Sequence, residues 1–258
     1  MSSGYPALCG LRIGPVSYLN ARPLIWGLDP ALLKTDVPAV LAQKFFASEL
    51  DVALLPVFEI LRAGGATIVD DVGIGCEGEV HSVVVASRTS FSNTREIHLD
   101  PASRSSAALL RVLLAEYYPG GPAIAGQAEI PDDGARLLIG DAAIDFRRRN
   151  GSAWRYHDLG LLWKVHTGLP FVFAVWAVSP RANASVCDAL RAVRDEGLAA
   201  RSEIASREAD PEFAYRYLTR HIHYNVGAAE KTAIRRFESL AQGHGLLPNF
   251  EPARLDFR

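Results

Sequence analysis

Short apolar runs alternate with helical patterns along the first part of the chain. Buried strands are predicted for residues 11–16, 51–57 and 67–71, because the first two are apolar runs that close with Pro15 and Pro56, and the third follows the Gly64-Gly65 turn. The segment VLAQKFFASEL lies between the first two runs and has helical character. A β-α-β order predicts that these two strands pair in parallel.

Two longer β-branched runs, EVHSVVVAS at 79–87 and FVFAVWAVS at 171–179, bracket the middle of the chain. We interpret them as the points where the chain crosses into a second lobe and returns. The prediction is an α/β fold of two lobes, with residues 1–87 and 178–258 in a discontinuous first lobe and residues 88–177 in the second. The segment ARLLIGDAAI at 135–144 repeats the buried strand pattern, and the tail from residue 182 is predicted to be mostly helical.

Composition narrows the class of protein. The chain has 258 residues, 49% of them hydrophobic, which is enough for a large core. Lys and Arg number 27 against 29 Asp and Glu, so no overall field favours nucleic acid or an anionic membrane, and neither is expected as a partner. Oligomeric state stays open between monomer and homodimer.

The cysteines and the N-terminal segment indicate the compartment. Cys9, Cys76 and Cys187 are widely spaced and form no CxxC, which argues against a disulfide framework and a structural zinc site. The N-terminal segment has no basic stretch followed by a long apolar run, as a secretory signal would. We therefore expect a cytoplasmic protein.

Three suggestive motifs are assigned no special chemistry. The GIGCEG segment at 73–78 matches a dinucleotide fingerprint literally, but a β-run follows it where a helix would have to open, so a flexible turn is expected. The pair His221 and His223 has no nearby cysteine or carboxylate partner in sequence, so no metal site is expected. No GxSxG or P-loop is present.

Small polar residues stand where predicted strands end and where a helix begins. Ligands bind at the carboxyl ends of strands in open α/β sheets, and a helix start with free amides suits a carboxylate. Ser105 could instead simply cap its helix, which is the common role of serine there. The candidates are Asn20, Ser82, Ser103, Ser105, Ser106, Thr167 and Gly168.

Several segments together resemble a known family. RIGPVSYLNARPL, DVALLPV, GEVHSVVVAS, LDPASRSSAALLRVLL and WKVHTGLPFVFAVWAV are similar, in this order, to the menaquinone-biosynthesis family that includes chorismate dehydratase. SYLNARPL is the most specific segment. The sister enzyme, 1,4-dihydroxy-6-naphthoate synthase, resembles an opening built around PCPND, which is absent here.

The resemblance implies a two-lobed fold like the type 2 periplasmic binding proteins, with an active site in the interlobe cleft. It also implies dehydration of chorismate to 3-[(1-carboxyvinyl)oxy]benzoate without a cofactor. Asn20 and Ser82 match positions important for activity. The residues expected to bind substrate are Ser17, Ser103, Ser105, Ser106, Thr167 and Gly168.

Three questions stay open at the level of sequence. No proton acceptor is identified, and a carboxylate of the substrate is one alternative. Arg22 and Arg104 could contact the ligand or form salt bridges. A non-catalytic solute-binding or sensor protein and the sister naphthoate synthase are the alternative functions.

Overall fold

The computed structural model describes residues 4–99, 103–125, 130–131, 134–180, 182–248 and 251–258. In chain order the strands are β1 (Ile13–Gly14), β2 (Val52–Pro56), β3 (Gly65–Cys76), β4 (Val83–Ser87), β5 (Glu96–Ile97), β6 (Ala123–Ile124), β7 (Arg136–Ile139), β8 (Arg155–Asp158), β9 (Phe171–Val178) and β10 (Arg254–Phe257). The α-helices are α1 (Pro38–Phe46), α2 (Val57–Arg62), α3 (Arg104–Tyr117), α4 (Gly140–Asn150), α5 (Leu159–Thr167), α6 (Ala184–Ala199), α7 (Arg201–Ser206), α8 (Pro211–Arg216) and α9 (Ala228–Gly243).

The larger sheet has the strand order β1-β2-β9-β3-β10. Strands β1 and β2 are parallel with α1 between them along the chain, as the β-α-β pattern predicts. Strand β9 is antiparallel to both β2 and β3 and lies between them. All five residues of β2 are buried, which explains why this strand reads as a continuous apolar run.

The smaller sheet has the order β7-β4-β8, with antiparallel pairing throughout, and β5 pairs in parallel with β6. The chain passes from the larger to the smaller sheet through residues 77–82 and returns through residues 168–170. If the lobes are divided according to the two sheets, each boundary lies a few residues earlier in the chain than predicted, because β4 belongs to the smaller sheet and β9 to the larger.

The expectation of a flexible turn at the GIGCEG segment is wrong. Residues Gly73 to Cys76 complete the long strand β3, and Gly75 also forms a bridge with His223. A Cβ atom on Gly73 would lie 2.8 Å from the carbonyl oxygen of Ala174. Glycine is needed here because two backbones approach closely within the sheet. As expected, no helix opens at these glycines.

Two further elements differ from the sequence prediction. The apolar segment ARLLIGDAAI was expected to be a strand, but β7 ends at Ile139 and α4 begins at Gly140. Residues Arg254–Phe257 form β10 in an otherwise helical tail and pair with the start of β3. None of the described helices is long and apolar enough to cross a lipid bilayer.

Aromatic side chains join the C-terminal helix to the strands. Phe237 of α9 is buried and contacts the rings of Phe58, Trp163 and Phe171 at centroid distances of 6.4, 6.1 and 5.2 Å. The indole of Trp163 donates a hydrogen bond to the carbonyl oxygen of Pro170 at 2.8 Å. Helix α9 and the return crossover are thus held in one core beside the cleft.

Candidate active site

A cleft between the two sheets gathers most of the sequence-predicted site residues. The space between its lining atoms is about 630 Å³, a volume that includes solvent at the open mouth of the cleft. Its polar lining comes from the segment after β1, the first crossover and the start of α3. These residues are Tyr18, Asn20, Ser82, Ser103, Arg104, Ser105 and Ser106.

Asn20 lies in a 3-10 helical segment, Leu19–Ile25, that begins soon after β1. The backbone N–H of Leu19 donates to the carboxylate of Asp141 at 3.0 Å, and the phenol of Tyr224 donates to the carbonyl oxygen of Asn20 at 3.0 Å. The backbone is therefore anchored both at the N–H of Leu19 and at the carbonyl group of Asn20. The Oδ1 atom of Asn20 is buried and has no hydrogen-bond partner. A buried amide oxygen left in this state is available to a ligand.

Ser82 is the last residue of the first crossover and is fully buried. Its carbonyl oxygen accepts from the backbone N–H of Gly140 at 2.8 Å. Its Oγ atom accepts a hydrogen bond of 2.7 Å from the phenol of Tyr217. The side chain of Asn20 neighbours the same phenol and counteracts part of the rise in its pKa that burial causes. The two residues expected to be important for activity are thus linked through one tyrosine.

No sequence pattern predicts Tyr217 as a residue of the site. It opens a π-helical turn, Tyr217–His221, and such turns are frequent at functional sites, but no residue pattern announces them. Burial raises the pKa of Tyr217 well above its usual range, so the phenol stays protonated and able to donate.

A buried carboxylate fixes the backbone immediately before Ser82. Asp158 accepts hydrogen bonds from the N–H groups of Val80 at 3.1 Å and His81 at 2.7 Å, and also from Leu161 at 3.0 Å. Burial raises the pKa of Asp158, although these N–H groups oppose the shift. His81 has a φ of 67°, a left-handed conformation that is costly without such support.

The start of α3 lines the cleft. Ser103 precedes the helix, and its side chain makes no capping hydrogen bond. Ser105 lies inside the first turn rather than at the N-cap, and its Oγ atom accepts from the N–H of Phe58 at 3.3 Å. The expectation that Ser105 caps the helix is therefore wrong. The uncapped amides and the guanidinium of Arg104 form a positive end suited to a carboxylate.

The two arginines have different surroundings. Arg104 lines the cleft and lies 3.4 Å from the carboxylate of Glu59, which is buried and also pairs with Arg62 at 2.7 Å. Arg22 forms an ion pair with Glu208 and is not among the residues that line the cleft. Of these two arginines, Arg104 is the one that both forms a salt bridge and lines the cleft.

Three expected substrate-binding residues lie outside the cleft lining. Ser17 is exposed. Thr167 ends α5, where its hydroxyl donates to the carbonyl oxygen of Trp163 at 2.7 Å. Gly168 follows with a φ of 71°, the left-handed conformation of a helix C-cap. Thr167 and Gly168 therefore shape the return crossover, and the structure does not bring these residues to Asn20.

The histidine pair separates in the fold. His223 pairs through its backbone with Gly75, whereas His221 lies near His81 and Glu79, with candidate metal-ligand atoms of the three within 4.8 Å of one another. The guanidinium of Arg147 lies 3.3 Å from Glu79. This positive charge opposes a cation at the same carboxylate.

The charge of the cleft lining comes from Arg104. Among the described residues around this cleft there is no aspartate, glutamate, histidine or lysine. The arrangement can bind an anion and orient hydroxyl groups. It offers no side chain that serves as an ordinary base at neutral pH.

Two sheets joined by two crossovers, with a polar cleft between them, define a periplasmic-binding-protein-like fold. The chain is similar to a structure from Archaeoglobus fulgidus with a TM-score of 0.69 and 18% identity, covering 92% of this chain and 98% of that one. It is also similar to a Candida albicans protein described as having the generic periplasmic binding protein fold, with a TM-score of 0.62 and 12% identity, covering 93% and 92%.

Sequence comparison narrows the class further. A family model described as menaquinone biosynthesis matches residues 11–243, and the chain belongs to that family. It is 29% identical to chorismate dehydratase of Thermus thermophilus, over 93% of this chain and 98% of the relative. It is 27% identical to chorismate dehydratase of Campylobacter jejuni, over 87% and 94%.

Proposed function

We propose that this enzyme dehydrates chorismate to 3-[(1-carboxyvinyl)oxy]benzoate in menaquinone biosynthesis. The family and the two chorismate dehydratases to which the chain is similar support the pathway and the substrate. The observation that carries the proposal is the juxtaposition of Asn20, Ser82 and the start of α3 around one cleft.

The reaction removes a ring hydroxyl group and the proton on the neighbouring ring carbon, which leave together as one water. The ring becomes aromatic, so the step is strongly favourable once the breaking bonds are aligned. Alignment requires the two substrate carboxylates to be held. The amides at the start of α3, Arg104 and the serine hydroxyls supply donors for one of them.

Asn20 and Ser82 then orient the reacting part of the ring. The unpartnered Oδ1 of Asn20 can accept from a substrate hydroxyl, and the Ser82 hydroxyl can donate to the departing oxygen. Because the described lining residues include no ordinary base, we infer that a carboxylate of the substrate takes the ring proton and passes it to the departing hydroxyl, which leaves as water. The enzyme contributes positioning and exclusion of water rather than its own base.

The test is incubation of the purified protein with chorismate, following a new aromatic absorbance and a product lighter by one water. Asn20→Ala and Ser82→Ala are each expected to reduce the rate at least 100-fold, a loss typical of groups that contact the reacting atoms. Ser17→Ala is the matched control, since this serine is exposed outside the cleft. Folded Asn20→Ala and Ser82→Ala variants with wild-type rates would overturn the site.

Other outcomes separate the alternatives. Tight binding of chorismate without turnover would favour a solute-binding or sensor protein. Turnover of a cyclic futalosine derivative instead of chorismate would favour the sister naphthoate synthase. The cytoplasmic location and the choice between monomer and homodimer stay predictions.

A further inference from the structure

We propose that Tyr217 is a positioning residue that sets the hydrogen-bonding direction of both Ser82 and Asn20. This inference rests on the proposed dehydration of chorismate and adds a residue to it. The phenol donates to Ser82 Oγ at 2.7 Å, and the side chain of Asn20 neighbours the phenol and counteracts part of the rise in the pKa of Tyr217.

The first consequence concerns Ser82. A hydroxyl group has one proton and two lone pairs. Since Ser82 Oγ already accepts from Tyr217, its own proton has to point elsewhere, and the cleft is the open direction. Tyr217 thereby makes Ser82 a donor to the departing hydroxyl of the substrate. Successive O–H donors also polarise one another, which strengthens the final hydrogen bond.

The second consequence concerns Asn20, whose side chain neighbours the Tyr217 phenol. The phenol proton is already given to Ser82, so the phenol oxygen can only accept a further hydrogen bond. The NH₂ group of Asn20 is the end of the amide that suits this oxygen, and Oδ1 has no partner. Tyr217 thereby favours the orientation in which Oδ1 is left for the substrate.

Tyr217 is held firmly enough for this role. The side chain is 1% exposed, and its ring stacks on Phe213 at a centroid distance of 5.9 Å with 12° between the planes. The π-helical turn that starts at Tyr217 places the phenol against the first crossover, 135 residues away in sequence from Ser82. A rigid ring loses little freedom when substrate binds.

Kinetics of Tyr217→Phe test the proposal. The variant keeps the ring and removes the hydroxyl, so kcat for chorismate is expected to fall about 10- to 100-fold, with KM changed less than about 3-fold. Tyr5→Phe is the control, because Tyr5 is also a buried tyrosine but does not line the cleft. Equal kcat values in the two variants would overturn the proposal.

A double variant shows whether Tyr217 acts through Ser82. Tyr217→Phe in the Ser82→Ala background is expected to lower kcat by less than about 2-fold, because the partner is already gone. If the fold-losses in kcat of the two single variants multiplied in the double variant, the proposal would be contradicted. Affinity for the aromatic product, which lacks the ring hydroxyl, is expected to stay within about 3-fold in Tyr217→Phe, whereas a general distortion of the cleft would weaken it.

Thermal unfolding gives a measurement that needs no turnover. Either single change leaves one buried polar group without its partner, and removal of both groups is closer to neutral. The double variant is therefore expected to melt above Ser82→Ala, and it provides a folded protein if Tyr217→Phe alone fails to fold. A double variant less stable than both single variants would refute the hydrogen bond. Wild-type protein that does not dehydrate chorismate overturns the proposed function, whereas a normal Tyr217→Phe enzyme overturns this inference alone.

Discussion

Asp158 links the stability of the fold to the placement of Ser82. Its carboxylate accepts from the N–H groups of Val80 and His81 in the first crossover and caps α5 through Leu161. Replacement by alanine leaves two crossover N–H groups without their acceptor, each costing about 1–3 kcal/mol. Loss of the helix cap adds about 1 kcal/mol.

The carboxylate itself is buried at a cost, as its raised pKa shows, and removing it recovers part of the loss. We therefore expect Asp158→Ala to lower the free energy of unfolding by about 3 kcal/mol. Asp158→Asn is expected to cost about half as much, because its amide oxygen still accepts. Both variants should also dehydrate chorismate more slowly, since Ser82 follows the released segment.

Urea denaturation followed by circular dichroism measures this effect. Asp210→Ala is the matched control: Asp210 also caps a helix, accepting from Phe213 at 3.0 Å, but it is exposed and holds no crossover. Its loss is expected to cost about 1 kcal/mol. An Asp158→Ala variant no less stable than Asp210→Ala would refute the bracing role of Asp158.

Three further predictions follow from single contacts. Burial lowers the pKa of His81 to about 4. Between pH 6.5 and 4 the unfolded chain therefore binds a proton that the folded chain does not. As the pH falls through this window, the free energy of unfolding should decrease by about 1–2 kcal/mol after solvent screening. Asparagine tolerates the positive φ, so His81→Asn should remove this part of the pH dependence of the urea midpoint. If the urea midpoint still changed between pH 7 and 5 by as much as in the wild type, the assignment to His81 would be contradicted. Arg104→Gln should raise KM for chorismate about 10- to 100-fold with little change in melting temperature, and an unchanged KM would exclude a substrate contact. Gly197→Ala should destabilise the protein by at least about 2 kcal/mol, because its Cβ would overlap the carbonyl oxygen of Pro23. Gly243→Ala meets open space and should stabilise α9, and calorimetry showing the same sign for both variants would refute the packing argument.

The sequence predicts secondary structure well where buried positions follow a regular pattern along the chain. Strand β2 is buried on both faces and was found as an apolar run, and the parallel pairing of β1 with β2 followed from the helical segment between them. Asn20 and Ser82 were identified by resemblance, because their motifs lie in contiguous segments.

Contacts between distant segments were beyond the reach of such patterns. The GIGCEG segment reads as a turn from its glycines, yet the neighbouring strand β9 turns Gly73 and Gly75 into points of close backbone approach. Ser105 reads as a helix cap, but the N–H of Phe58 supplies its partner from another helix. Local propensity is overridden where a tertiary neighbour supplies a stronger constraint.

The sequence by itself determined the α/β alternation and the two central apolar runs that contain β4 and β9, and its resemblance to a family led to the prediction that Asn20 and Ser82 act in the site. Only the tertiary structure decided that Tyr217 donates to Ser82, that Asp158 braces the crossover, and that Thr167 lies outside the cleft lining. The physical reason is that periodicity reports which side of an element is buried. It carries no information about which distant element covers that side, and a hydrogen bond across 135 residues of chain depends on that choice.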